Sequence, residues 1–508
     1  MGATSGAIAT PHHRATAAGR AALDAGGNAI DAALAAAAVL AVVYPHNTGV
    51  GGDLVALVHS PDGEMHAVNA TGWAPAAASR DRALAEHGEA IPRRGAAAVT
   101  VPGAVRGWEA LAHLGARLSR RDHLRDAVTA ARDGVAVSAS LALCLAGEWA
   151  TLTDPSFRTT FGGREDGPLR RGDLLRQPRL ADTLDELARS GYGSFYAGAL
   201  AERLVTALAA RGSEVMAADF AEFAVDSAAP LARDWRGMRV HTLGPNTQGF
   251  ALLRTALAVE SDSAPDPLRI ARLFAEGNLL RDTRLGDPRR TRVDVRALIE
   301  DAVDLAEPEL VPDPRLARGD TIGVAAADAE GWAVSLVQSQ FHLFGSGVHD
   351  AETGVLFHNR GYSFVLDDEH APGVLAPRAR PAHTLMPVLV TDPGGGVRFV
   401  QATMGGKAQA QIHAHLLLHL ARGATASETV SAPRWTLGPY APGDRSDAVY
   451  AEADVEDAVV QRLHDAGHPI VTVPPLTEML GHANVVRRTA TGFDAAADPR
   501  SDGAASVS

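Results

Sequence analysis

Apolar and polar residues alternate with different periods along the chain, and the first part has a helical pattern. Residues 16–43 contain small and apolar residues after Thr16, a candidate helix cap, and Gly26-Gly27-Asn28 divide them into two helices, the second starting near Ala29. Residues 44–53 form a glycine-rich turn before a buried strand at 54–58, and Asp62-Gly63 predicts a hairpin into the next strand.

The remaining pattern predicts a helical lobe followed by paired strands. Residues 111–212 carry Ala, Leu and Arg at helical spacing. Beyond residue 321, strands are predicted at 323–327, 332–338, 386–391 and 397–403, then a helix at 408–421. Helices before and after antiparallel strand pairs predict an α+β layered sandwich forming one large unit. The small, polar tail from Asp494 is expected to be mobile at its end.

Composition narrows the function classes. The 508 residues are 46% hydrophobic and 21% charged, which indicates a globular protein with a large core. A net charge of −13 disfavours nucleic acid and anionic membranes as partners, so a small-molecule ligand is expected. The apolar residues 32–43 are too few to span a bilayer. The single Cys144 and an N-terminus without a secretion-signal pattern favour a cytoplasmic location.

Thr321 is a candidate nucleophile. Threonine needs an adjacent base at neutral pH, and its own α-amine can serve once the preceding peptide bond is cut. Such an amine has an ordinary pKa near ~8. Residues 318–320 (RGD) lead into Thr321, which opens an apolar strand sequence. This context suits the role, although threonines also commonly start strands for structural reasons alone.

Segments in a fixed order along almost the whole chain resemble the γ-glutamyltranspeptidase family. They are residues 24–33 (DAGGNAIDAA), 45–52 (PHNTGVGG), 74–77 (APAA), 101–103 (VPG), 331–335 (GWAVS), 344–347 (FGSG), 380–381 (RP), 386–387 (MP), 405–406 (GG), 432–434 (APR) and 498–500 (DPR).

The resemblance implies a four-layer αββα N-terminal nucleophile hydrolase sandwich with a helical lobe. In the family the nucleophile lies ten residues before the glycine of the strand turn, here Gly331, which selects Thr321. It implies autocatalytic cleavage between Asp320 and Thr321 into a large subunit, 1–320, and a small subunit, 321–508, that remain associated. No cofactor and no metal are expected, and whether the protein is a homo-oligomer stays open.

The resemblance also implies roles for catalytic residues. Gly405 and Gly406, at a strand-to-helix junction, correspond to the backbone donors of the oxyanion hole. Ser339 stands where the family has a hydroxyl that supports the nucleophile. A plain tight turn and a strand-surface serine are the alternatives.

The residues that would bind glutamate depart from the family pattern. Thr71 replaces the arginine that holds the α-carboxylate, and residues 359–363 (NRGYS) lack the acidic group that binds the α-amine, with Ser363 at its end. Phe341 replaces another polar group, and His383-Thr384 replaces paired serines. The resemblance therefore predicts retained chemistry on a different acyl group, with Arg360, His383 and Lys407 as candidates to bind an anionic substrate.

Several interpretations remain open at this stage. The leading one is an amidohydrolase for a small, acidic, non-glutamyl substrate. The alternatives are a carbon–carbon bond hydrolase in a natural-product pathway, a true γ-glutamyl enzyme, and an unprocessed binding protein. His415 and His419 have the i, i+4 spacing of metal ligands, with His413 nearby, but no acidic or cysteine ligand accompanies them.

Overall fold

The computed structural model of the chain describes residues 4–227, 229–311 and 319–508. The α-helices of this part are α1 His13–Asp24, α2 Ala29–Val43, α3 Arg80–His87, α4 Ala104–Gly115, α5 Arg120–Asp133, α6 Ala139–Glu148, α7 Pro155–Phe161, α8 Pro178–Ser190, α9 Ala199–Ala209, α10 Ala217–Ala221, α11 Gly249–Ala258, α12 Pro267–Arg284, α13 Val295–Glu300, α14 Gln409–Ala421, α15 Ala426–Ser431 and α16 Asp457–Asp465. The strands are β1 Gly6–Thr10, β2 Asp53–His59, β3 Met65–Ala70, β4 Val135–Ala136, β5 Leu174–Leu175, β6 Leu231–Trp235, β7 Met238–Thr242, β8 Asp320–Asp328, β9 Ala333–Phe341, β10 Val388–Thr391, β11 Val397–Thr403, β12 Trp435–Leu437, β13 Val449–Glu452, β14 Ile470–Val473, β15 Ala483–Thr489, β16 Gly492–Ala497 and β17 Ala504–Val507.

Two six-stranded sheets form the centre of the fold. The first has the order β17-β1-β8-β9-β2-β3, and the second has the order β16-β15-β11-β10-β7-β6. All neighbouring strands in both sheets are antiparallel. The predicted antiparallel strand pairs are therefore confirmed.

The sheets stack face to face, and helices cover both outer faces. Side chains from both sheets, including Val55 and Val337 of the first and Leu389 and Val400 of the second, form the core between them. The helices α1, α2 and α4–α9 pack on the outer face of the first sheet, and α11, α12 and α14 pack on the second. This confirms the four-layer αββα sandwich with its helical lobe.

The starts of the first two helices differ in how well the local sequence predicts them. The Asn28 side chain accepts the N–H groups of Ile30 and Asp31 and starts α2 as a capping box, at the predicted place. By contrast, α1 begins at His13, earlier than predicted. Thr16 lies inside this helix, where its hydroxyl donates to the carbonyl of Ala504 at 2.8 Å. A distant strand, rather than the helix end, thus uses the hydroxyl.

The prediction of a mobile C-terminal tail is wrong. Strand β16 pairs with β15, and β17 pairs with β1 in the register Ala7↔Val507. The N–H of Ser508 also donates to the carbonyl of Gly6 at 2.9 Å. The tail forms a strand because, on the side of β1 away from β8, backbone donors and acceptors would otherwise be unpaired.

The position of β8 matters most for the site, because it lies inside the first sheet between β1 and β9. At Gly323 a Cβ would stand 2.6 Å from the carbonyl carbon of Ala402 on β11, so the lack of a side chain permits a close approach of the two sheets. Across the described ranges, no helix is long and apolar enough to cross a membrane.

Candidate active site

Thr321 occupies an irregularity at the start of β8. The register with β9 runs Asp320↔Phe341 and then Ile322↔Gln338, which leaves one extra residue on the β9 side. Such a bulge redirects a side chain relative to the regular pleat. Thr321 is only 2% exposed in the continuous chain.

Ser339 connects the hydroxyl of Thr321 to the peptide bond that precedes it. The Thr321 hydroxyl donates to Ser339 Oγ at 3.1 Å, and the Ser339 hydroxyl donates to the carbonyl oxygen of Asp320 at 2.5 Å. The N–H of Phe341 also donates to Ser339 Oγ, at 2.7 Å, and fixes its position. The serine therefore contacts both the candidate nucleophile and the carbonyl that it would attack.

Further contacts hold the residues on either side of this bond. The N–H of Leu343 donates to a carboxylate oxygen of Asp320 at 3.0 Å. The side-chain amide of Asn47 donates to the carbonyl of Thr321 at 3.4 Å. Asn47 belongs to the glycine-rich turn that the sequence places before β2, so this turn contacts the start of β8.

Gly405 and Gly406 lie between β11 and α14, as predicted. Their φ angles of +151° and +54° lie in the region that favours glycine. A Cβ on Gly319 would stand 2.6 Å from the Cα of Gly406, so the residue before Asp320 lies against this loop. The Gln248 side chain donates to the Gly406 carbonyl at 3.0 Å. The loop and the Asp320–Thr321 bond are therefore neighbours.

A second group of buried polar residues centres on Asp53. Its carboxylate accepts from the Gly72 N–H at 2.8 Å and lies 3.1 Å from His383 Nε2 and 3.4 Å from His358 Nδ1. Burial acts to raise the pKa of Asp53, but its interactions with His358 and its hydrogen bond from His383 outweigh it and hold this pKa well below its usual range. Asp53 is therefore ionised.

His383 has both ring nitrogens occupied by the protein. The N–H of Leu385 donates to Nδ1 at 3.2 Å, so Nε2 carries the proton and donates it to Asp53. Burial, with the nearby charge of Arg360, lowers the pKa of His383 to about 3. The ring is neutral, and it has no further N–H with which to bind a substrate.

Arg360 is a buried cation without a carboxylate partner in the described part of the chain. It is 1% exposed, one Nη donates to the carbonyl of Ala382, and the guanidinium stacks 4.1 Å above the ring of Phe341. The other Nη lies 3.5 Å from the hydroxyl of Thr384, and Nε has no partner among these residues. Burial lowers the pKa of Arg360 to about 9, while Asp53 acts to raise it.

Of the other predicted substrate residues, only some lie beside the Asp53 group. The Thr71 hydroxyl donates to Asn69 at 2.7 Å and is near Asn246, beside the Asp53 group. Ser363 is half-buried and has no hydrogen bond to the Asp53 group within the described residues. Lys407 forms an ion pair with Asp282 at 3.2 Å and lines a separate cavity of about 660 Å³.

Sequence reasoning singled out neither Asp53 nor His358. Asp53 is the last residue of the glycine-rich turn, and His358 immediately precedes the segment 359–363. Neither residue was predicted to have a role in the site. The three histidines with metal-like spacing lie on α14. His413 contacts Gln401 and Met386, and His415 contacts the carbonyl of Trp435, at 2.9–3.2 Å.

Comparison with known proteins finds sequence and fold relatives along almost the whole chain. The sequence model described as gamma-glutamyltranspeptidase matches residues 15–508. The oxamate amidohydrolase proenzyme of Klebsiella pneumoniae is 36% identical, covering 99% of this chain and 98% of that protein. A glutathione hydrolase-like YwrD proenzyme of Bacillus subtilis is 34% identical, covering 98% and 97%. The crystal structure of cephalosporin acylase from Bacillus halodurans has a TM-score of 0.88 at 29% identity, covering 100% of this chain and 96% of that one.

Proposed function

The chain belongs to the γ-glutamyltranspeptidase family of N-terminal nucleophile hydrolases, and from this we propose that it is a self-processing amidohydrolase for a small substrate whose acyl group carries a carboxylate. Family membership makes it an enzyme of the hydrolase and acyltransferase class. The proposal adds the cleavage site, Asp320–Thr321, and the nature of the acyl group. It also divides the chain into subunits 1–320 and 321–508, which remain associated. The proenzyme names of two relatives support the cleavage.

Self-cleavage begins with attack of the Thr321 hydroxyl oxygen on the carbonyl carbon of Asp320. The oxygen of this carbonyl gains negative charge and is stabilised by the Ser339 hydroxyl, 2.5 Å away in the precursor. The carbon–nitrogen bond then breaks, the Thr321 nitrogen takes up a proton, and an ester joins Asp320 to the Thr321 hydroxyl. Water hydrolyses the ester, which leaves a carboxylate on Asp320 and a free α-amine on Thr321.

Substrate hydrolysis uses the new amine as the base. It accepts the proton of the Thr321 hydroxyl as this attacks the substrate amide and then gives the proton to the leaving amine. Water, giving its proton to the same amine, then hydrolyses the acyl ester, which releases the acid product and restores the Thr321 hydroxyl. The backbone N–H groups of Gly405 and Gly406 stabilise the developing oxyanion. In the precursor, Gly319 packs against Gly406, and the acyl group of a substrate would occupy this place after cleavage. The position of Gly319 therefore supports the role of the two glycines.

Arg360 carries the proposal of an anionic acyl group. A guanidinium that is 1% exposed and forms no ion pair within the described residues, with Asp53 acting on its pKa from farther away, would gain an ion pair from a substrate carboxylate. Its stacking partner, Phe341, pairs with Asp320 in the sheet, so Arg360 lies one side chain away from the reacting bond. His383 has a positioning role, since Asp53 and Leu385 occupy its ring.

The same residues disfavour glutamate. Binding glutamate requires an acceptor for its α-ammonium as well as a clamp for its α-carboxylate. Thr71 is already bonded to Asn69, and Phe341 presents an aromatic face that Arg360 covers. Ser363 supplies no charge. A compact acyl group such as that of oxamate, named in one relative, needs only the single anion site and the nucleophile.

The direct test compares oxamate with oxamide, its neutral analogue, by measuring ammonia release. One or two charge-assisted hydrogen bonds of ~1.5–3 kcal/mol each predict a kcat/KM for oxamate higher by about 10- to 10⁴-fold. Thr321→Ala should abolish both activities and leave one full-length band on a denaturing gel. Equal hydrolysis of the two compounds would contradict the anion site, and cleavage of the Thr321→Ala chain at the same bond would contradict the nucleophile.

A β-diketone and a γ-glutamyl anilide belong in the same substrate panel. They represent the carbon–carbon hydrolase and the true γ-glutamyl enzyme, respectively. An intact chain that turns over none of these compounds would favour the binding-protein alternative.

A further inference from the structure

A buried polar network lies behind the catalytic centre and joins residues from both proposed subunits. Tyr44, His46 and Ser140 come from the large subunit, and Glu478 and His482 come from the small one. The Ser140 hydroxyl is 2.8 Å from both carboxylate oxygens of Glu478 and 2.9 Å from His46 Nε2. The Tyr44 hydroxyl donates to Glu478 Oε1 at 3.4 Å, and His482 Nε2 lies 4.0 Å from the same carboxylate oxygen.

The hydrogen bonds of this network have a definite direction when Glu478 is ionised. The carboxylate accepts from Ser140 and Tyr44, and the Ser140 oxygen then accepts from His46 Nε2–H. His46 Nδ1 has no partner within the described residues, so it suits the bare nitrogen of this tautomer. The ionised carboxylate thus leaves no N–H or O–H of His46, Ser140 or Tyr44 buried without an acceptor.

Two backbone connections run from the network to the catalytic centre. On one side, the His46 carbonyl accepts the Phe344 N–H at 2.8 Å, and the adjacent Asn47 donates to the Thr321 carbonyl. On the other side, the His482 carbonyl accepts the N–H of Met404 at 2.8 Å, directly before Gly405. The network therefore contacts both the strand of the nucleophile and the loop of the oxyanion glycines.

Gly481 shows how closely this second connection is packed. A Cβ at this position would stand 2.4 Å from the Met404 carbonyl oxygen and 3.2 Å from the Cα of Gly405. A displacement of the Glu478–His482 segment would therefore move the oxyanion loop.

We propose that Glu478 is a positioning residue that must be ionised for the nucleophile strand and the oxyanion loop to be held in their reactive arrangement. The inference rests on the proposed self-processing function, because it assigns a control to the same centre. Protonation of Glu478 would reverse the chain of hydrogen bonds. Ser140 would then donate to His46 Nε2, and the proton of His46 would move to Nδ1, where no acceptor is present among the described residues.

Glu478 can exchange protons with solvent, since its side chain is 20% exposed at the edge of the network. Burial raises the pKa of Glu478 to about 7, the Ser140 hydrogen bond opposes this, and the charges of Asp320 and Asp502 add to it. The titratable groups that surround the network are His12, Tyr44, His46, Cys144, Asp320, His482 and Asp502, with Arg434 and Asp498 beyond His482.

Five of these neighbours keep one protonation state near neutral pH. Burial lowers the pKa of His12 to about 3 and that of His482 to about 4, and it holds the pKa of His46 well below its usual value. Burial also raises the pKa of Tyr44 and of Cys144 well above neutrality. A change of activity around neutral pH therefore does not come from these five groups, and the Glu478→Gln variant separates Glu478 from Asp320 and Asp502.

Self-cleavage is the cleanest measurement, because the α-amine of Thr321 does not yet exist in the precursor and cannot contribute its own titration. Full-length chain from cell-free translation is transferred to buffers from about pH 5.5 to about pH 8.5, and the two fragments are followed on denaturing gels. The wild-type rate should rise with pH and level off above about pH 7, falling about tenfold per unit below it.

Glu478→Gln should remove this pH dependence and leave slow cleavage at every pH. The amide is neutral, like the protonated acid, and places an N–H donor beside its one acceptor oxygen, so the rate should stay near the wild-type rate at about pH 5.5 throughout. Glu456→Gln is the matched control, because Glu456 is an exposed acid of the small subunit, and it should follow the wild-type profile. Thermal unfolding at about pH 8 establishes that both variants are folded.

The outcomes separate this inference from the function on which it rests. A wild-type chain that never cleaves refutes the self-processing function, and the inference with it. A wild-type chain that cleaves with a pH step that persists in Glu478→Gln refutes only the role of Glu478. A folded Glu478→Gln chain that cleaves at the wild-type plateau rate also refutes the role of Glu478, because the neutral amide cannot reproduce the ionised arrangement.

Discussion

Replacement of Ser339 by alanine should slow self-cleavage by about 10²–10³-fold without unfolding the protein. The Ser339 hydroxyl donates to the Asp320 carbonyl at 2.5 Å and accepts from the Thr321 hydroxyl at 3.1 Å. Alanine removes the donor that stabilises the oxygen of the carbonyl under attack. It also removes the acceptor that orients the Thr321 hydroxyl.

The magnitude follows from the first of these contacts. Loss of one oxyanion donor typically costs ~2.7–4 kcal/mol of transition-state stabilisation, which corresponds to the stated range. The lost ground-state hydrogen bonds are neutral and contribute only about 0.5–1.5 kcal/mol each to stability. The cleavage rate should therefore change far more than the free energy of unfolding.

The assay follows the two fragments on denaturing gels after synthesis of the precursor. Ser335→Ala is the matched control, because Ser335 is a buried serine of the same strand whose hydroxyl donates to the carbonyl of Gln401 instead. Ser339→Thr restores a hydroxyl and should recover most of the rate. If Ser339→Ala cleaves at the wild-type rate, or slows no more than Ser335→Ala, the assigned role of Ser339 is incorrect.

The remaining predictions concern the substrate site and stability. A folded, processed Gly406→Val protein should lose about 10²–10³ in turnover, measured with oxamate, because a side chain obstructs the oxyanion site. Arg360→Met should remove the preference for oxamate over oxamide and lower Tm only slightly, since it loses the hydrogen bond to Ala382 and the stacking on Phe341 but no ion pair within the described residues. Hydrolysis of γ-glutamyl-p-nitroanilide should stay well below a kcat/KM of ~10⁴ M⁻¹s⁻¹, a common value for a natural substrate, and a rate above it would show that glutamate is recognised. Glu478 has a raised pKa in the folded chain, so its stabilising contribution is complete below its unfolded pKa and is lost as pH rises through about 7. Glu478→Gln should accordingly gain Tm relative to wild type between about pH 5 and about pH 8, and calorimetry that shows no such gain would contradict this.

The sequence alone located those helices and strands whose limits depend on residues only a few positions apart. The capping box of Asn28 defines the start of α2, and β11 spans Val397–Thr403 as its alternation and flanking glycines predict. The ordered motifs likewise identified the family and the four-layer architecture, because they cover almost the whole chain. The limits of α2 and β11 depend on backbone propensity and hydrophobic period, which a single segment carries by itself, whereas the family and the architecture were implied by the resemblance.

Only the tertiary structure decided which distant side chains meet. Asp53, His358 and Arg360 come from a turn and a loop separated by about three hundred residues, and no local pattern signals that they form one buried group. The C-terminal tail illustrates the same limit, since its small polar residues form a strand only because β1 is available beside it. Burial and hydrogen-bond satisfaction depend on neighbours brought together by folding, so the sequence determines the elements and the candidate chemistry, whereas the packed sheets determine their partners and protonation states.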